Sequence, residues 1–518
     1  MPTLEWIGKD KVVNHHLEVP YRVLEEQYTY NADRSDNMII RGDNLEALKA
    51  LLPRYEGKVK CIYIDPPYNT GNEGWVYNDN VNDPRIKKWL GEVVGKEGED
   101  LSRHDKWLCM MYPRLKLLHR LLAEDGVIFI SIDDTEFSYL KLICDEIFRN
   151  FAEAIVWQKR TSPDARKKLS SGHEYVLIYT KNPDQNLGLK LLPLEGRDAE
   201  AYTNPDDDPR GPWISSPFTA PGYRPNQMYS ITTPTGKTMI PPKGRCWCNI
   251  EEVYQRLLSE GRMWFGADGN GVPRRKTYLS EREGRGVWTW WTNSEVGYTQ
   301  IATQELAAIL GKAVFDYPKP VRLISRIIQM ASSDGDIILD SFAGSGTTAH
   351  AVLNMNKADG GHRKFILVEM MDYAETITAE RVKQVIDGYG QGKNAVEGTS
   401  GDFTFYELGP VLLLSNGNLN EDVGAEKIRE YVYFMETKST IDPTKEDEPY
   451  YMGVHLDSAY YFYYERDSLT TLSRDFLGSI KTKAGRYTIY ADQCTLSQAE
   501  LERWHITFKK IPRDISKL

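Results

Sequence analysis

No stretch of this 518-residue sequence approaches the roughly 18 consecutive apolar residues of a membrane-spanning helix, so a protein of that kind is not expected. Charges interrupt Met1 to Val12, and no secretory leader is expected there. Cysteine is scarce and scattered. Only Cys246 and Cys248 of the six lie close together, and a C-W-C spacing suits no zinc site. All six are expected as reduced thiols in a cytosolic protein, and no metal is predicted. Net positive charge is missing too. The formal charge of −10 argues against coating nucleic acid by bulk charge, yet leaves a local basic groove possible. Repeats and low-complexity blocks are also absent. What remains is an ordinary globular composition, 41% hydrophobic, in a chain long enough for two to four domains.

Two segments are locally basic, Lys159 to Lys168 and Arg262 to Gly286. Lys159, Arg160, Arg274, Arg275 and Lys276 are the candidates for phosphate contacts, although charged runs are commonly just solvated faces. The first 35 residues read as an irregular arm. Strands are expected at Asn37–Arg41, Val59–Ile64 and Val127–Ile132, with helices from Asp43 to Pro53, Trp107 to Ala123 and Phe137 to Phe148. Asn69–Asp105, rich in Gly, Asn and Asp, reads as a long mobile loop. Ala154–Trp157 and Tyr175–Tyr179 add two strands, and His173-Glu174 before the second suggests no metal site. This alternation predicts an open α/β sheet. It breaks at about Asn182, where Pro, Gly and Trp dominate, and the tryptophans there read as core rather than base-stacking. It resumes with Leu323–Ala331, Asp336–Leu339, Thr347–Asn356, Lys364–Val368 and a helix over Ala374–Tyr389. One α/β domain, 36–181 plus 305–400, is therefore split by an insertion at 182–304. A small α+β region with strand-like Tyr460–Tyr464 follows over 401–518.

Two motifs carry chemistry. The strand ending at Asp340 runs into Phe342-Ala343-Gly344-Ser345-Gly346-Thr347, then a helix. Glycines there let the backbone approach a ligand, and the helix N-terminus offers unpaired amides. Glu369, 23 residues after Gly346 at the end of the next strand, stands where an acid binds ribose hydroxyls. An adenosine-containing cofactor follows, although a nicotinamide dinucleotide fits the spacing equally; a phosphate-binding loop does not, since no Lys-Ser or Lys-Thr follows. The second motif, Asp65-Pro66-Pro67-Tyr68, ends another strand. The exocyclic amine of adenine is a poor nucleophile because its lone pair is delocalised. An acceptor at Asp65 and a carbonyl at Pro66 can take its hydrogens and aim a more tetrahedral nitrogen. Prolines hold such carbonyls rigidly, and Tyr68 offers a flat surface for a flipped base. A nicotinamide oxidoreductase leaves the double proline unexplained, and a catalytically idle binding subunit has no need of both motifs.

Asp65-Pro66-Pro67-Tyr68-Asn69-Thr70-Gly71, Phe315-Asp316-Tyr317-Pro318-Lys319-Pro320, Phe342–Gly346 and the Gly42-Asp43 turn together resemble the amino-methyltransferases of DNA, over roughly residues 30 to 390. The order is the permuted one of the β class. The resemblance implies a Rossmann-like S-adenosylmethionine-dependent methyltransferase domain interrupted by a target-recognition insertion. It implies base flipping and direct methyl transfer to adenine N6, since cytosine-amine enzymes more often begin the motif with Ser. Asp65 would orient the amine, Asp340 to Thr347 would wrap the cofactor, Asp316 and Lys319 would hold its methionine part, with Lys319 on the carboxylate, and Glu369 would bind the ribose. Met263–Leu279, Thr289–Gly297 and Ile506–Ile515 further resemble the modification subunits of Type III restriction systems. That implies a homodimer on duplex DNA, a helicase-nuclease partner and a prokaryotic, nucleoid-associated location. The alternatives are a solitary adenine methyltransferase, a cytosine-N4 enzyme, or methylation of RNA or a protein amide, against which the large insertion speaks.

Overall fold

In the computed structural model the described residues are 3–70, 88, 92, 103–184, 188–194, 196–439, 441–443, 445–512, 514 and 515. Most of the loop expected at Asn69–Asp105 lies outside them. The chain divides into two compact units, Met1–Lys190 with Thr289–Leu518, and Leu191–Trp288.

A ten-stranded sheet organises the first unit. Its strands are β1 (Arg22–Tyr30), β2 (Met38–Arg41), β3 (Val59–Ile64), β4 (Leu122–Ile132), β5 (Asn150–Gln158), β6 (His173–Thr180), β7 (Trp290–Trp291), β8 (Ile337–Asp340), β9 (Lys364–Glu369) and β10 (Phe403–Val411). They lie in the order β1-β10-β2-β9-β8-β3-β4-β6-β5-β7. From β10 to β4 all neighbours run parallel. Strands covered on both faces should read as continuous apolar runs, and β3 (V-K-C-I-Y-I) is buried at every position. β6 returns antiparallel to both β4 and β5, a hairpin arrangement beside the parallel centre.

Helices α1 (Asn44–Tyr55), α2 (Arg103–Leu121), α3 (Phe137–Ile147), α4 (Thr299–Leu310), α5 (Val321–Ala331), α6 (Thr347–Asp359) and α7 (Glu380–Asp387) connect or flank these strands. Asp43 caps α1 by accepting from the Leu45 amide at 2.8 Å, and it also pairs with buried Arg114 at 3.1 Å. The α5 stripe Leu323, Ile324, Ile327, Ile328 and Ala331 is buried at helical spacing.

The structure departs from local pattern in three places. The N-terminal region is not an irregular arm: β1 pairs antiparallel with β10, nearly 400 residues on, and its polar sequence suits an edge position. Phe403–Val411 likewise joins the main sheet as β10, so the C-terminal region is part of the first unit. Its own sheet holds Tyr451–His455, Ser458–Phe462, Arg486–Ala491 and Ile506–Lys510 in that order. Finally, the helix over Ala374–Tyr389 begins as a wide π turn, Ala374–Ala379, and continues as α7 only to Asp387. Such turns are rare and commonly mark functional sites. Here the turn brings the Thr378 hydroxyl to within 2.6 Å of the Gly344 carbonyl.

The second unit covers less than the insertion at 182–304, because Trp290–Trp291 returns to pair with β5. Arg274–Tyr278 is the middle strand of a three-stranded antiparallel sheet, between Met263–Trp264 and Trp213–Pro217. Its core packs Phe218, Trp247, Tyr254, Leu257 and Phe265 beside the helix Glu251–Ser259. Trp213, Trp247 and Trp291 are buried, whereas Trp288 is exposed.

Candidate active site

β3 and β8 are adjacent and parallel, so their carboxyl ends open on the same edge of the sheet. Asp65 follows β3 and Asp340 ends β8. Both line one cleft of about 830 Å³, together with Tyr68, Glu174, Asp316 and Gly344.

The turn after β3 is held from several sides. The indole Nε1 of buried Trp107 donates to the Pro67 carbonyl at 2.7 Å. Asn69, at φ 59°, donates through Nδ2 to Glu136 at 2.6 Å. Glu136 also meets His104 Nδ1 at 2.7 Å. These contacts fix a backbone that already has two φ angles set by proline rings. The Tyr68 hydroxyl donates to Asp65 Oδ1 at 2.8 Å and to Glu174 Oε2 at 3.1 Å.

Around β8 the glycine loop is equally constrained. Asp340 accepts from the Phe342 amide at 3.0 Å and the Thr348 hydroxyl at 2.6 Å. Glu369 accepts from the Gly344 amide at 2.8 Å and the Met371 amide at 2.9 Å. Burial pushes both carboxyls up to about 7. Behind the loop, fully buried Arg381 donates to Ser345 Oγ at 2.9 Å and Thr347 Oγ1 at 2.8 Å. Gly346 caps α6 at φ 78°, and a Cβ there would meet the Thr378 carbonyl oxygen at 3.1 Å. Gly346→Ala is therefore expected to cost about 1–2 kcal/mol for the left-handed backbone alone. It should lower the melting temperature and weaken ligand binding in the cleft; an unchanged melting curve would contradict this account of the loop.

The residues named from sequence separate into groups. Asp65, Pro66, Tyr68, Phe342, Ala343, Gly344, Thr347, Asp340, Asp316, Lys319, Lys159 and Arg160 all line the cleft. Pro67 is buried with its carbonyl on Trp107, and Glu369 is buried with its carboxylate on the Gly344 and Met371 amides. Lys319, expected on the cofactor's carboxylate, pairs here with carboxylates of the protein. Its ammonium sits 2.6 Å from Asp65 Oδ2 and 3.6 Å from Glu174 Oε2, because the two carboxylates attract it. Lys159, expected on phosphate, pairs with Glu174 Oε1 at 2.9 Å. Arg160 and Asp316 are exposed.

Glu174 is the residue that sequence reasoning missed. A lone acid before an apolar strand carries no mark of its partners; only the β5–β6 hairpin puts it beside Lys159. Burial pushes the Asp65 carboxyl up against the pull of Lys319. For Glu174 burial acts upward as well, but Lys319 and Lys159 outweigh it and hold the carboxylate below its usual range.

In the second unit Lys276, expected on phosphate, is buried instead. It is only 4% exposed, and its ammonium binds Asp206 and, at 2.9 Å, Asp208. The alternation of that strand points it inward, so its charge is spent inside the unit. Arg275 on the same strand is exposed, and Arg274 is half-buried with Nε on the Ser215 hydroxyl at 2.7 Å.

Comparison with known proteins agrees with this geometry. The Mod subunit of the Type III restriction-modification enzyme StyLTI of Salmonella typhimurium is 36% identical over 70% of this chain and 57% of its own length. The EcoP15I Mod subunit of Escherichia coli is 33% identical, over 71% and 64%. The chain thus spans roughly 60% of the length of these relatives. The Type II methyltransferase M.KpnI of Klebsiella pneumoniae is 33% identical over 67% of this chain and 85% of its own length. A family model described as DNA methylase matches residues 59–380. That match runs from the strand before Asp65 through the glycine loop, and this chain is accordingly a member of the DNA methylase family.

Proposed function

We propose that this chain is a site-specific DNA methyltransferase acting on the N6 amino group of adenine in duplex DNA, with S-adenosylmethionine as donor. The observation that carries the reading is the single cleft shared by Asp65 and the Asp340–Thr347 loop at neighbouring strand ends. The cleft suits that donor. Gly344 and Gly346 keep positive φ, leaving backbone without side chains beside the ligand, and Glu369 is a buried acid near the loop. Bound there, S-adenosylmethionine supplies an electrophilic methyl group on a sulfonium. Phe342, Ala343 and Thr347 would line its site, Glu369 would accept from the ribose, and Asp316 would stand at the open end. Asp65 and the Pro66 carbonyl would accept the hydrogens of the target amine, and Tyr68 would stack on a base turned out of the duplex. The acceleration comes from orientation and fixed dipoles.

The named relatives support a finer reading, the modification and recognition subunit of a Type III restriction-modification system. A homodimer, a helicase-nuclease partner and a cytoplasmic, nucleoid-associated location belong to that reading. Among the described residues no helix is long and apolar enough to cross a membrane. Sedimentation of the purified chain tests the dimer.

The central test is incubation with tritiated S-adenosylmethionine and mixed-sequence duplex DNA, followed by nucleoside analysis. Label on the adenine amine is expected. Label on cytosine would move the substrate, and absence of cofactor binding would overturn the reading. Cofactor affinity should also depend on pH. Glu369 accepts best when ionised, and burial pushes it up to about 7, so affinity should weaken as pH falls through neutrality. Glu369→Gln should bind more weakly and flatten that dependence in calorimetric titrations. A pH-independent wild-type affinity would remove Glu369 from the ribose role.

A further inference from the structure

Four of the charged side chains that line the cleft form one cluster, where amine orientation alone needs one. Asp65 follows β3, Lys159 follows β5, Glu174 lies in β6 and Lys319 precedes α5. Every contact among them is short. Glu174 Oε1 meets Lys159 Nζ at 2.9 Å, and its Oε2 faces both the Tyr68 hydroxyl at 3.1 Å and Lys319 Nζ at 3.6 Å. Lys319 Nζ lies nearer Asp65 Oδ2, at 2.6 Å, while Asp65 Oδ1 takes the Tyr68 hydroxyl at 2.8 Å. Both oxygens of Asp65 are thus engaged by the protein, and the ammonium on Oδ2 draws off the negative charge that a target amine would need. Glu174 is the second acceptor within a small displacement of that ammonium. A buried glutamate flanked by two lysines from separate segments is costly to assemble, and breaking one partner leaves a buried charge uncompensated.

On the reading of this cleft as an amino-methyltransferase site, we propose that Glu174 is a positioning residue for methyl transfer. It takes the Lys319 ammonium from Asp65 as the target amine arrives, and it holds the Tyr68 ring in place through its hydroxyl. Lys159 keeps Glu174 anchored during this exchange. No covalent step is involved: the ammonium changes its main carboxylate partner, and Asp65 Oδ2 is released to the amine.

The test compares wild type, Glu174→Gln and Glu174→Asp in single-turnover methylation of duplex DNA, with cofactor affinity and melting temperature measured on each. Glu174→Gln keeps the shape and removes the charge. The transfer rate constant should fall about tenfold, while the cofactor dissociation constant stays within about twofold. Glu174→Asp should recover part of the rate. The pH profile separates positioning from mere support. Asp65 is raised by burial and by the neighbouring Glu174 charge, so removing that charge lets it ionise at lower pH. The acid limb of the Glu174→Gln profile should therefore move to lower pH although its plateau drops. Tyr63, Tyr68, Asp133, Lys159, Lys319 and Asp340 also face this pair and are unchanged in the variant. A Glu174→Gln enzyme with wild-type rate and profile overturns the proposal while leaving the methyltransferase reading intact. So does a slower enzyme whose acid limb stays in place. If Glu174→Gln melts early or loses the cofactor, the charge-retaining Glu174→Asp decides: a folded variant with wild-type cofactor affinity and a reduced transfer rate supports the proposal, and a wild-type rate, or failure to fold there too, overturns it in favour of a structural role. Wild type that neither binds cofactor nor methylates DNA overturns both.

Discussion

Asp65→Ala is expected to lower the methyl-transfer rate by about 100- to 1,000-fold, the loss typical of removing one preorganised partner of a reacting group. Cofactor affinity should hardly change. The glycine loop is set by Asp340, Glu369, Thr378 and Arg381, none of which depends on Asp65 for its hydrogen bonds to the loop. The fold should survive as well. Removing Asp65 leaves Lys319 facing Glu174, so the ammonium keeps a carboxylate partner. Rapid-quench methylation with calorimetry of cofactor binding reads the two quantities separately. A variant that methylates at the wild-type rate would remove Asp65 from the chemistry. A variant that loses cofactor and rate together would make it a determinant of the fold of the cleft.

Lys276→Met should destabilise the second unit by about 3–5 kcal/mol, the usual cost of breaking a buried ion pair by removing one partner. Asp206 and Asp208 share the ammonium, and Tyr278 and Arg210 complete the shell of Asp208 at 2.7 and 3.0 Å. The guanidinium of Arg210, with Lys276 and Tyr278, holds the Asp208 carboxyl well below its usual range. Arg275→Ala, one residue earlier and exposed, should leave stability unchanged. If it meets phosphate it should weaken DNA binding and reduce the salt slope by about one. Limited proteolysis across Leu191–Trp288 and salt-dependent DNA titrations distinguish the two variants. A Lys276→Met protein that resists protease like wild type but binds DNA with a lower salt slope would return Lys276 to the surface.

Much of the site was legible in the chain itself. Apolar strands at Val59–Ile64 and Lys364–Val368, each followed directly by an acid, Asp65 and Glu369, state the parallel sheet and its functional edge. Proline at 66 and 67 and glycine at 344 and 346 carry their backbone requirements in their own covalent structure. Local chemistry of this kind needs no tertiary partner to be read. The edge strand β1, by contrast, is polar, and its pairing with β10 rests on contacts across the whole chain. The same holds for charge. Lys159, Glu174, Lys276 and Lys319 look alike in sequence to any solvated charged residue. The order of the motifs, the α/β class and the acid and glycine turns were determined by the sequence alone, because steric and hydrophobic preferences act residue by residue. Which charges face each other inside the cleft, and which are spent within the second unit, only the tertiary structure decided, because an ion pair depends on distances that chain order does not contain.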